Sequence, residues 1–306
     1  MNGSNNCKIW AIGGGKGGVG KSFVLSSIGM NLAKEGRVVM IDADLGGANL
    51  HNFLGIHRPK ATLSDFFENK TPLEELISET GVENLGLLSG VIGSLGAEGI
   101  KYAQKKKLFA HIKQIKADHI LIDLGAGAHH NTIDTFLLAD KMVLVIVPEI
   151  ISIENMYNFL RNVFFRRLGV VLSDYGYRDL VVTLWKDRKE LGINNFRELV
   201  DYLKSTSDEV RDVVTREVAD FKVHLILNKA RTNKDIMIGN SVKSICRKFF
   251  GINALYSGYV EYDELVSRSI NQRQTYMTAY PDSRCARELE RLTRNLLAGR
   301  QVKIIK

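Results

Sequence analysis

Proline is scarce: the 306 residues hold four, Pro59, Pro72, Pro148 and Pro281, and none falls between the last two. A chain so poor in proline is not a polyproline spacer or a low-complexity linker, and its long central stretch lacks the strongest breaker of helices. Cysteine is equally thin, with Cys7, Cys246 and Cys285 scattered along the chain. No C-x-x-C pair and no cysteine–histidine pair lies at ligand spacing, which excludes a disulfide scaffold and the usual zinc or iron–sulfur frameworks. These thiols are expected to be reduced, as in the cytosol. Long apolar runs are missing too. No window offers the uncharged stretch of about 18 residues that a membrane-spanning helix needs, and the N-terminus lacks the basic and apolar regions of a secretory leader. A cytoplasmic location is the expectation. Positive charge, by contrast, is in excess: 42 lysines and arginines against 34 acids give a formal net charge of +8. That balance favours an acidic partner, whether anionic lipid, nucleic acid or an acidic protein face.

Apolar, β-branched runs recur at Lys8 to Ile12, Val38 to Ile41, Leu85 to Leu88, Ile120 to Ile122, Met142 to Val147 and Val223 to Leu227. Helical patterns separate most of them, and strand followed by helix, repeated, predicts an α/β fold with a largely parallel, twisted sheet. Because the runs are apolar at nearly every position rather than alternating, helices are expected on both faces. The rhythm breaks between about 161 and 220, where Arg161, Arg166 and Arg167 precede two charged, helix-favouring segments, Asn195 to Leu203 and Asp208 to Val218. With no proline and little glycine, this stretch reads as a mainly helical insertion in a single domain spanning 1–306.

Gly15-Lys16-Gly17-Gly18-Val19-Gly20-Lys21-Ser22 fits G-x-x-x-x-G-K-[ST], between the first strand and a helix from Ser22 to about Glu35. This is a phosphate loop, and the fold class is that of a P-loop NTPase. Its glycines let backbone N–H groups close round a diphosphate, Lys21 meets the β/γ charge, and Ser22 offers an oxygen to Mg²⁺. Asp42 and Asp44, with Asn49, follow the second strand, at the carboxyl edge where ligands of open α/β sheets bind; read locally, they could also cap the next segment. Ile120-Leu121-Ile122-Asp123 is an apolar strand ending in an acid, and after a phosphate loop such an acid holds Mg²⁺.

The second lysine in the loop, Lys16, together with DADLGGAN from Asp42 and DLGAG from Asp123, resembles the deviant Walker ATPases of the MinD/ParA family. The resemblance runs from about Lys8 to Leu160 and from Val223 to about Leu297, and the DLGGANLHNFLGIHRPKATLSDF and VPEIISIEN stretches look most like its FlhG/FleN branch. It implies ATP and Mg²⁺ as cofactors and an ATP-bound homodimer in which Lys16 reaches the partner's nucleotide. Carried over by position, Lys16, Lys21 and Asp44 serve catalysis, Asp44 orienting the attacking water. The loop from Gly15 to Ser22 binds the phosphates, Val19 included, and Ser22, Asp42 and Asp123 form the metal sphere. Asn228, at the end of the last strand, would read adenine, although an asparagine there also suits a turn. Gly258-Tyr259-Val260-Glu261 stands where relatives often carry a proline near the base.

Three classes of function follow. One is a slow ATPase that switches between monomer and dimer to place a regulatory protein partner or cargo, in flagellar number control or at a division site, and that the cytoplasmic membrane face recruits. A second is a partitioning ATPase that binds nonspecific DNA through Lys101, Lys105, Lys106 and Lys107 or Arg161, Arg166 and Arg167. A third, an iron–sulfur carrier or related enzyme on the same scaffold, lacks its cysteines. His129 and His130 are expected to begin a helix rather than to catalyse. Cys285, Leu289, Leu292 and Leu296 form an apolar stripe expected to pack the final helix on the core, with too little chain after it for a second amphipathic helix.

Overall fold

The computed structural model describes residues 7–44, 47–90 and 102–302. Eight strands form one sheet: β1 (Lys8–Gly13), β2 (Val38–Asp42), β3 (Ser78–Glu79), β4 (Leu85–Leu88), β5 (His119–Asp123), β6 (Lys141–Ile146), β7 (Val223–Ala230) and β8 (Leu255–Glu261). Their order is β3-β4-β2-β5-β1-β6-β7-β8, and only the two-residue edge strand β3 runs antiparallel. The helices of the first half are α1 (Lys21–Leu32), α2 (Leu50–Phe53), α3 (Leu63–Glu68), α4 (Leu73–Leu76), α5 (Tyr102–Ile112) and α6 (His130–Leu138). Those of the second half are α7 (Ile150–Asp174), α8 (Leu180–Lys186), α9 (Phe196–Thr206), α10 (Asp208–Asp220), α11 (Asn233–Phe250), α12 (Leu265–Asn271), α13 (Tyr276–Ala279) and α14 (Arg284–Leu297).

Successive strand residues face opposite sides of a sheet, so uniformly apolar strands build two cores. Ile9, Ala11, Ile120 and Ile122 belong to a core that runs beneath α5, α6, α7 and α11. Trp10, Ile12, Leu121 and Val143 pack under α1 and α14. All six expected strands are present, and both faces are covered. Two strands escaped the sequence reading: β3, and β8, whose Ser257 and Gly258 interrupt its apolar run. Gly258 sits where α14 presses closest, since a Cβ there would lie 2.6 Å from a Leu292 methyl.

Residues 161–220 are helical, as expected, but they begin inside α7, a 25-residue helix that starts at the sheet edge. Asn195 and Ser207 cap α9 and α10 through side chains that accept from Glu198 N and Val210 N. Aromatic rings bind the insertion to the body: Phe164 meets Phe196 and Phe221 with centroids 5.4 and 4.7 Å apart, and Phe196 reaches Phe250 of α11. In α14 the stripe Cys285, Leu289, Leu292 and Leu296 is buried, with Arg287, Arg291 and Arg294 exposed. From Ala298 to Val302 the chain is not helical, and residues 303–306 lie outside the described residues. No described helix is long and apolar enough to cross a membrane.

Candidate functional site at the carboxyl edge of the sheet

The phosphate loop runs from the end of β1 into α1. Gly20, the N-cap of α1, has φ +91 and carries no side chain to satisfy the first amides of the helix, which leaves them open to an anion. Two other glycines are needed for packing. A Cβ on Gly14 would lie 2.6 Å from the Val145 carbonyl of β6, and one on Gly15 would overlap the Asn155 carbonyl of α7. Gly17, Gly18, Gly20, Lys21 and Ser22 line a cavity of about 510 Å³. Lys21 itself is 9% exposed, a buried cation that calls for an anionic partner.

Parallel register places Asp42 of β2 opposite Asp123 of β5. Both are buried. The Asp42 oxygens are already used: Oδ1 accepts from Asp44 N at 3.1 Å and Oδ2 from Leu50 N at 2.9 Å. Burial nevertheless pushes its carboxyl up to about 6. Asp42 thus ties down the loop after β2. Asp123 differs: its Oδ1 is buried without a hydrogen-bond partner, and burial, then the charge of Asp42, push the carboxyl up to about 7 against the opposing pull of Ser22 and Lys21. Asp44 lines the cavity, accepts from Gly47 N at 3.1 Å, and lies so near Gly125 that a Cβ there would be 3.1 Å from its carboxylate. Ser22 Oγ donates to Asn49 Oδ1 at 3.3 Å. His129 is the N-cap residue of α6, without a side-chain hydrogen bond to the helix, and His130 is its first residue, as expected.

Five expected residues stand differently from a simple nucleotide or metal contact, and two of them, Val19 and Asp42, do not line the cavity, Asp42 being engaged by the loop after β2. Lys16 does not line the cavity; its Nζ pairs with Glu149 Oε2 at 3.3 Å, both side chains well exposed. Gly15 is likewise behind the loop, against α7. Asn228 is at the cavity wall and 3% exposed, but its Nδ2 donates to the Val19 carbonyl at 2.8 Å, so part of its amide holds the loop. The candidate DNA-binding arginines are engaged within the protein. Arg166 pairs with Asp134 at 2.8 Å, Arg167 pairs with Glu217, and the Arg161 guanidinium lies 6.0 Å from the Trp185 ring centre. Of the lysines, Lys101 and the side chain of Lys105 lie outside the described residues, while Lys106 and Lys107 are exposed.

Comparison with known proteins bears on this arrangement. The ParA family model, described as NUBPL iron-transfer P-loop NTPase, matches residues 6–173, more than half of the chain. The chain belongs to the ParA/MinD family of P-loop NTPases. It is similar to the antiactivator FleN of Pseudomonas aeruginosa, 24% identical over 282 residues, covering 91% of this chain and 82% of FleN. The structure of the septum site-determining protein MinD from Pyrococcus horikoshii, complexed with Mg-ADP, matches with a TM-score of 0.64 at 23% identity, over 97% of this chain and all of that one. MinD in the MinC:MinD cell division complex of Aquifex aeolicus matches with a TM-score of 0.63 at 19% identity, over 98% of each chain.

For a ParA/MinD-family chain the unpaired Asp123 oxygen is informative. A buried carboxylate with an unpaired oxygen beside a second acid would be favoured by a further cation, and Mg²⁺ takes hard oxygens from one or two protein groups plus phosphates. Asp123 and Ser22 fit that requirement. The far wall of the cavity was missed at the sequence level: Tyr262 and Asp263, just past β8, and Val266, Ser267 and Ile270 of α12. Tyr276 Oη donates to Asp263 Oδ2 at 2.5 Å, and the Arg231 guanidinium stacks 3.7 Å from the Tyr262 ring centre. The signal available was position, since these residues follow the Gly258 to Glu261 segment at the same sheet edge.

Proposed function

We propose that this protein is an ATP-binding, slowly hydrolysing dimerisation switch that places or regulates a partner protein. The observation that carries the reading is the second lysine. Lys16 sits on the phosphate loop yet outside the cavity, engaged by the exposed Glu149. A solvent-exposed ion pair contributes at most about 1 kcal/mol, so Lys16 can leave Glu149 at little cost and serve the nucleotide of a second subunit. Lys21 and the N-terminus of α1 would hold the phosphates, and Ser22 and Asp123 the Mg²⁺, which supplies neutralising charge when bound. Asp44 would orient water, its carboxylate set by Gly47 N and by contact with Gly125. Asn228 Oδ1 would meet the adenine while Nδ2 keeps the Val19 carbonyl.

Similarity to FleN supports a role in flagellar number or placement, in the cytoplasm and with recruitment to the inner membrane face. A division-site role is the sister reading. Nonspecific DNA partitioning finds less support, because Arg161, Arg166 and Arg167 are spent on internal partners. The test is light scattering after size exclusion on an Asp44→Ala variant, ligand-free, with ADP and with ATP·Mg²⁺, beside Lys16→Ala. A dimer that forms with ATP alone, and that Lys16→Ala abolishes, supports the switch; a mass unchanged by nucleotide refutes it.

A further inference from the structure

Lys229 is exposed and follows the buried Asn228. An ordinary surface lysine extends into water. Here Nζ instead donates to the main-chain carbonyl of Gly18 at 2.8 Å, 211 positions away in sequence. The local backbone aims it there. The β7·β8 ladder shifts register between Leu227 and Ala230, a bulge of the kind that redirects a side chain beside a site. Within that bulge Lys229 has φ +58, a left-handed conformation that a residue with a Cβ seldom adopts and that marks positions held for a purpose. The ladder resumes immediately, with Tyr262 N donating to Ala230 O at 2.9 Å.

We propose that Lys229 is a positioning residue for the phosphate loop, acting with Asn228; the proposal rests on the nucleotide-binding reading above. A trans peptide is planar, with its N–H antiparallel to its C=O. Fixing the Gly18 carbonyl through Lys229 therefore fixes the direction of Val19 N–H, and fixing the Val19 carbonyl through Asn228 fixes that of Gly20 N–H. Both carbonyls are drawn toward the end of β7, so both amides point the other way, as donors for a diphosphate. Gly18, with φ +77 and open space around its missing Cβ, would otherwise turn freely. Lys229 thus removes a conformational cost that phosphate binding would have to meet.

The test is calorimetric titration of the full chain with ATP·Mg²⁺ and, as a ligand without a base, Mg-tripolyphosphate. Lys229→Met keeps the stem and loses the ammonium; both ligands are expected to weaken by about tenfold or more, as for loss of a charge-assisted hydrogen bond. Lys229→Arg should restore most of the affinity. Lys229→Gly, at ease with positive φ, should melt no lower than wild type without ligand and yet show the same loss, which separates positioning from folding. Wild-type affinity for tripolyphosphate in Lys229→Met overturns the proposal, and so does a loss confined to ATP, which would make Lys229 a base contact. If wild type binds neither ligand, the nucleotide-binding reading itself falls and takes this one with it.

Discussion

Replacing Asp123 by asparagine is expected to stabilise the ligand-free protein and to abolish its stabilisation by ATP·Mg²⁺. The Asp123 carboxyl is 3% exposed and pushed up from 3.8 to about 7, by burial and then by Asp42. Between those values the folded state keeps a proton that the unfolded chain has released, so stability falls as pH rises through that window and is level above it. The full interval corresponds to on the order of 4 kcal/mol, of which about 2 is already lost at pH 5. Asparagine has no such titration. The advantage of Asp123→Asn over wild type should therefore grow from about 2 kcal/mol at pH 5 to about 4 at pH 8, or roughly 8 °C in melting temperature for a chain of this size. Thermal unfolding in EDTA without nucleotide at pH 5, 6, 7 and 8 measures it. With ATP·Mg²⁺ the order should reverse, because the aspartate and not the asparagine would hold the metal. An advantage that is flat with pH, or a variant less stable than wild type at pH 8, would refute the argument that Asp123 is held in a place built for a cation.

Gly15→Ala should cost about 1–3 kcal/mol of stability by overpacking and weaken nucleotide binding several-fold, since the new methyl falls on the Asn155 carbonyl; melting and calorimetry report the two effects. Lys141 lies 4.4 Å from the Trp10 ring centre, donates to the Leu296 carbonyl, and is pulled by burial from 10.5 to about 8. Its folded form releases the proton first, so wild type should gain stability relative to Lys141→Met as pH rises from 8 toward 10.5; a melting difference that stays constant from pH 7.5 to 9.5 contradicts this.

The central sheet was legible because burial on both faces demands apolar residues at nearly every interior position of β1, β2, β5 and β6. The residues of the loop and the acids at the strand ends were legible for a related reason: phosphate chemistry needs them at fixed spacing. What pattern could not give was orientation. That Lys16 turns to Glu149 depends on a contact spanning 133 positions, and that Lys229 turns to Gly18 depends on a bulge no local run announces. Tyr262 and Asp263 were missed because a cavity wall built from a post-strand turn and a short helix has no periodicity to detect. The three arginines of the insertion read as free charge until their partners, Asp134, Glu217 and Trp185, came from three separate helices.

The unbroken course of α7 has a mechanical consequence. Its foot touches the phosphate loop, at Asn155 against Gly15, and its 25 residues carry the chain about 37 Å to the far side of the insertion. Met156, Phe159, Val163, Leu168 and Leu172 keep the helix buried along its length, so the phosphate loop and the segment beyond Asp174 are joined through one continuous packed element.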